Sequence, residues 1–237
     1  MANLSKYIHD AGEYALRFCN IPVTISFVLF MFAGCTSMVL GSATSSFTQT
    51  INPGTLSVDI VNSGYTTVGS PSVAMGAVTF SFNCQTSAGT LGSDSQRIYV
   101  ANPDAADSGW VVSLAASGLD EVWTSAGTPF DFNDPTGSGC TDGADTDSTG
   151  GQMTVNPASS TLAVGQCASC ATSNITKGSE ASFSSTTPSI TVLTGAAGSN
   201  DIGDWRLTGV SISQKIPAEQ PAASDYALSL TLSIVAS

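Results

Sequence analysis

Histidine is all but missing from this chain, the only one being His9, and basic side chains are scarce: six Lys and Arg stand against 18 Asp and Glu, a formal net charge of −12. Without histidine after position 9, no Ser-His-Asp triad, Cys-His pair or histidine-based metal centre can form in the body of the protein. A Ser-x-x-Lys motif is absent too, and only Glu121, Glu180 and Glu219 represent glutamate beyond residue 43. A glycosidase can work with two carboxylates alone, but nothing in the spacing of these three places a pair across a cleft. The expectation is a protein that is not an enzyme. The shortage of cations excludes a phosphate-tracking surface, so nucleic acid is not an expected partner. Helical apolar periodicity is lacking after residue 43, which excludes a helical body.

Residues 21–43, IPVTISFVLFMFAGCTSMVLGSA, carry no charge and are long enough for one helix to cross a bilayer core. Gly41 and Ala43 supply the small residues of a signal-peptidase site. Ahead of them Leu4, Tyr7, Ile8, Ala11, Tyr14, Ala15 and Phe18 recur at helical spacing, with Lys6, His9, Asp10, Glu13 and Arg17 on the other face. Residues 1–43 therefore read as an amphipathic lead-in followed by a signal peptide or membrane anchor. Cleavage after Ala43 and retention of the anchor both stay open. Either way the expected location is extracellular, with membrane contact only through residues 21–43.

Beyond that segment the apolar residues alternate with period two, the signature of half-buried strands. Strands are expected at 47–51, 55–61, 78–84, 97–101, 110–115, 152–155, 161–164, 189–193, 205–212 and 226–234. In the third, Val78, Phe80, Phe82 and Cys84 share a face that should be buried. In the last, Tyr226, Leu228, Leu230, Leu232 and Ile234 do the same. Trp205 and Leu207 lie on one parity while Val210 and Ile212 lie on the other, which a bulge at Gly209 would reconcile. Short strands between Gly, Pro, Asn and Ser turns indicate an all-β fold, a single β-sandwich or jelly-roll-like domain over residues 44–237.

Four cysteines follow the export segment, Cys84, Cys140, Cys167 and Cys170, an even set that reads as two disulfides in an oxidising compartment with three connectivities open. Cys167-Ala-Ser-Cys170 lacks the second close pair of a zinc site and the βαβ setting of a redox motif. Residues 131–151, DFNDPTGSGCTDGADTDSTGG, interrupt the strand rhythm with a long acidic loop insertion braced at Cys140. Asp131, Asn133, Asp134, Asp142, Asp145 and Asp147 offer hard oxygen ligands at short spacing among glycines, which makes calcium the one candidate cofactor. The alternative is a solvated turn pinned by its disulfide. Trp110 and Trp205 open apolar strands and should be core, whereas Trp123 beside the acidic loop is the one candidate for an exposed aromatic.

Trp205-Arg206-Leu207 is a literal W-x-L, and Tyr226-Ala-Leu-Ser-Leu230-Thr231-Leu232-Ser-Ile234 follows the pattern Y-x-x-x-L-T-W-x-L, with Leu232 where the pattern has a second tryptophan. Gly54-Thr-Leu56 and Gly109-Trp110-Val-Val-Ser-Leu114 add two further pieces. In these motifs the chain resembles WxL-type bacterial surface domains, β-rich modules that bind cell wall and assemble with other exported proteins. The resemblance implies a structural or wall-associated protein whose partners are wall polymer or other surface proteins, with self-assembly as a further option. More loosely the chain is similar to secreted proteins of reduced-genome bacteria and to camelysin and TasA-type filament subunits. Two alternatives stand beside the wall reading: a calcium-dependent adhesin or carbohydrate-binding module, and a subunit of a surface layer or extracellular filament.

Overall fold

The computed structural model describes residues 46–237 except 53, 104–107, 126–127, 144–146 and 199–201. The expected export segment, residues 1–43, lies outside the described residues, as does Asp145. The chain divides into two units, Met1–Thr50 and Ile51–Ser237. All described strands belong to the second, and it is all-β, with every strand pair antiparallel. No described helix is long and apolar enough to cross a membrane.

Fourteen strands are described: β1 (Ser57–Val61), β2 (Gln85–Leu91), β3 (Arg97–Asn102), β4 (Trp110–Ala115), β5 (Val122–Trp123), β6 (Phe130–Asp131), β7 (Gln152–Asn156), β8 (Thr161–Val164), β9 (Ile175–Lys177), β10 (Ala181–Ser182), β11 (Ser189–Gly195), β12 (Gly203–Thr208), β13 (Val210–Ile216) and β14 (Thr231–Ala236). They form sheets β1-β3-β12-β8, β10-β7-β13-β2 and β14-β4-β11-β9, with β5 and β6 paired alone.

The first two sheets share three chain paths. β12 continues into β13 through Gly209, β3 meets β2 through residues 92–96, and β7 reaches β8 through the 3-10 turn Pro157–Ser159. The register confirms it: Leu207 pairs with Ile98 and Leu162, while Val210 pairs with Leu91 and Ser211 with Asn156. Gly209 is therefore a corner where the chain changes sheets. Crossing it shifts parity by one residue, so Trp205, Leu207, Val210 and Ile212 all enter one core. Gly209 and Gly92 adopt φ of +80° and +83° there, a left-handed conformation costly to any side chain, and Gly209 N–H donates to Gly92 O at 2.8 Å. Beside the corner Lys177 Nζ donates to the carbonyls of Ala158 at 2.7 Å and Ser160 at 2.6 Å, which satisfies the turn's free acceptors.

The third sheet supplies Trp110, Val112, Leu114, Ile190, Val192 and Leu193 to the same core. A register shift in β11 between Thr191 and Leu193 turns both Val192 and Leu193 inward. Trp110 and Trp205 meet with ring centroids 5.5 Å apart. Both are fully buried, as their place in alternating strands implies.

Two expected strands take another form. Residues 47–51 form no strand, and Phe47 and Ile51 are 94% and 87% exposed. The segment 78–84 is also not a strand: Val78, Phe80 and Phe82 lie exposed, while the adjoining, more polar stretch Gln85–Leu91 becomes β2 instead. The reason is steric. β2 brings Ala88 and Gly89 under residues 73–76, where a Cβ on Gly89 would approach Met75 Sδ to 2.5 Å, so Val73 and Met75 cover the sheet. The closing segment does alternate as expected from Tyr226 to Ile234, but the ladder covers only Thr231–Ala236 and its inward residues are half-buried, because β14 is an edge strand paired to β4 alone.

Candidate functional site

Three places are chemically distinctive: the acidic loop, a carboxylate beneath the Cys167–Cys170 turn, and an aromatic groove. The start of the acidic loop is core and not solvated turn. Asp131, Phe132, Asn133 and Asp134 are all buried, and Phe132 packs on Phe183 at a centroid distance of 5.1 Å. This burial follows from pairing, since Asp131 N–H donates to Gly150 O and Asp134 N–H to Gly151 O, both at 2.9 Å.

The polar side chains there serve the backbone. Asp134 accepts from Thr136 N–H through Oδ1 at 2.8 Å and from Gly143 N–H through Oδ2 at 2.6 Å. Asp131 Oδ1 accepts from Phe132 N–H at 2.5 Å, and Asn133 Nδ2 donates to Leu119 O at 2.8 Å. Asp147 Oδ1 accepts from both the N–H and the hydroxyl of Thr149, each at 2.9 Å, and Asp142 is exposed. Among the described residues this loop brings no three carboxylates within reach of one ion. These acids act as pins that hold a turn-rich loop against the core. The Cys84–Cys140 disulfide fastens the loop to the segment leading into β2.

Cys167 and Cys170 form the second disulfide, so the pairing joins the two near neighbours and the two distant ones. Beneath the short loop lies Asp204, a buried residue that the sequence reading passed over. Its Oδ2 accepts from Gln166 N–H at 2.6 Å and from the Tyr99 hydroxyl at 2.6 Å, and its Oδ1 accepts from Cys167 N–H at 2.8 Å. Trp205 Nε1 donates to Ala171 O at 2.9 Å, tying the same loop to the core. Burial, and then donation to Asp204, push the Tyr99 hydroxyl above its ordinary pKa. The two sulfurs and an Asp204 oxygen lie within 4.8 Å of one another. The sulfurs are bonded to each other and carry no thiolate charge for a metal. The one signal for Asp204 in the sequence is a lone acid at the head of an apolar strand, Gly203-Asp204-Trp205.

The groove, about 550 Å³, runs between residues 73–81 and the 216–226 segment. Trp123 stacks on Phe130 with centroids 5.7 Å apart and planes 11° from parallel, and Phe130 meets Tyr226 edge-on at 5.0 Å. Trp123 is half-buried, and its Nε1 donates to Oε1 of the buried Gln214 at 3.0 Å. The groove thus offers an aromatic wall whose own polar atoms are satisfied, suited to apolar or ring-shaped surface.

The residues that carry the W-x-L and closing-strand pattern gather elsewhere. Trp205 and Leu207 are fully buried in β12, and Leu232 and Ile234 pair with Leu114 and Val112 of β4, the strand that opens with Trp110. Tyr226 and Leu230 are half-buried on the way to β14. No protein-family model, no curated protein and no solved structure matches this chain.

Proposed function

We propose that this chain is a non-catalytic structural protein of a bacterial surface, a WxL-like sandwich module held outside the cell and associated with wall polymer. The observation that supports it is the convergence of three of the four motif segments: Trp205-x-Leu207 meets Gly109-Trp110 through the tryptophan pair at 5.5 Å, and the closing strand zips onto that same Trp110 strand. Two disulfides accord with an oxidising, extracellular setting. The test is sedimentation with purified bacterial sacculi. Residues 44–237 should pellet with the wall and stay chemically inert toward it, and protein left wholly in the supernatant refutes wall association. A second reading, a carbohydrate-binding module, draws on the groove, where Trp123, Phe130 and Tyr226 form an aromatic wall. Under that reading soluble glycan fragments shift Trp123 fluorescence, and Trp123→Ala abolishes the shift.

A further inference from the structure

Between Asp59 and Asp94 the sequence contains no charged residue, in a chain whose net charge is −12. That run includes Val78-Thr-Phe80-Ser-Phe82, the alternating stripe that reads as a strand and is not one. Val78, Phe80 and Phe82 are 42%, 49% and 75% exposed, and the two phenylalanines touch edge-on at 5.3 Å. Among the described residues no hydrogen bond involves the backbone of residues 77–80. A segment of strong β propensity thus displays open backbone donors and acceptors beside an apolar row, the condition under which another strand adds.

The geometry points to a second copy of this chain as the partner, pairing its own residues 77–82 antiparallel with these across a two-fold axis. Two features select it. The stripe is self-complementary: in the antiparallel register centred on Phe80, each Val78 stands opposite the other copy's Phe82 and the two Phe80 rings oppose each other. The charge pattern allows the approach, because copies this acidic repel each other wherever their carboxylates face, and residues 60–93, which carry this stripe, hold none. The bordering groove, which Val78 and Phe80 help line, gives the incoming side chains an apolar floor. Association here needs no wall polymer, so the inference stands or falls independently of the wall-binding reading.

The experiment uses the full-length chain in a non-ionic detergent, with a photo-crosslinking benzoylphenylalanine placed at position 80 and equal amounts of light and heavy isotope copies. Irradiation should give mixed light-heavy dimers whose cross-link maps to residues 78–82 of the other copy. Raising salt from 0.02 to 0.5 M should increase the cross-linked fraction severalfold, since screening weakens the repulsion opposing association. A second variant, Phe82→Asp, should lose most of the cross-link while melting as the parent does, because that side chain is largely solvated. No mixed dimer, a cross-link within one copy, a cross-link to residues 46–51 or any other segment, or association that weakens with salt would each overturn the proposal.

Discussion

Removing the two disulfides one at a time should destabilise the protein unequally, and the expected order follows from loop length. Cys84 and Cys140 are 56 positions apart, and their bridge encloses β2 to β6; Cys167 and Cys170 are only three apart. A cross-link restricts the unfolded chain by an entropy that grows with the logarithm of the loop it closes. At 25 °C this is about 4 kcal/mol for the long loop and under about 2 kcal/mol for the short one. The native state widens the gap. The short loop keeps independent anchors when its bridge is gone, since Asp204 still accepts from Gln166 and Cys167 N–H and Ala171 O still receives the Trp205 indole. The acidic loop near Cys140 is held locally by Asp134 and joined to the segment before β2 through the bridge. Urea titrations of Cys84→Ala/Cys140→Ala and Cys167→Ala/Cys170→Ala, each with the other pair intact and each fitted with its own m-value, measure both losses, and m should rise more when the long loop is opened. The difference of about 2 kcal/mol should separate the melting temperatures by roughly 4–8 °C for a domain this size. Equal losses, or the larger loss at Cys167/Cys170, would refute the reasoning.

Three further outcomes are expected. Gly209→Ala should cost about 1 kcal/mol from its φ of +80° alone, since a Cβ there meets nothing within 4 Å, and Gly209→Asn should recover part of it in the same denaturation assay. Tyr99 holds its proton more tightly in the folded state, so its contribution is complete below about pH 10 and is lost as pH rises through the folded value. The melting temperature should fall more steeply above pH 10 in the parent than in Tyr99→Phe, and parallel profiles would contradict this. Leu230→Ala should cost about 1–2 kcal/mol, below the range for a fully enclosed leucine, because Leu230 packs on the core while part of its surface stays in water. Calorimetry checks it.

The strands at 110–115 and 161–164 were legible to the residue, and those at 97–102 and 152–156 to within one; all but 161–164 alternate buried and half-buried side chains across the sheet. The all-β class, the two buried tryptophans and the existence of two disulfides follow from pattern and composition. Pairing of the cysteines does not, since spacing leaves three connectivities open. Only the fold brings Cys84 beside Cys140. Nor could the pattern tell that Val78, Phe80 and Phe82 stay outside. Alternation reports a strand's two faces, whereas which neighbouring segment captures the free edge of β13 is decided by fit. The small residues Ser87, Ala88 and Gly89 leave room for Met75 above them. Asp204 makes the same point for polar groups. A single acid carries no periodic signal, and its role exists only because Gln166 and Cys167 return over β12 and aim their N–H groups at its carboxylate. Local preference determined the elements and their faces. Competition between long-range partners for one edge, one corner and one buried carboxylate decided the rest, and that competition is settled by three-dimensional packing that neighbouring residues in the sequence do not encode.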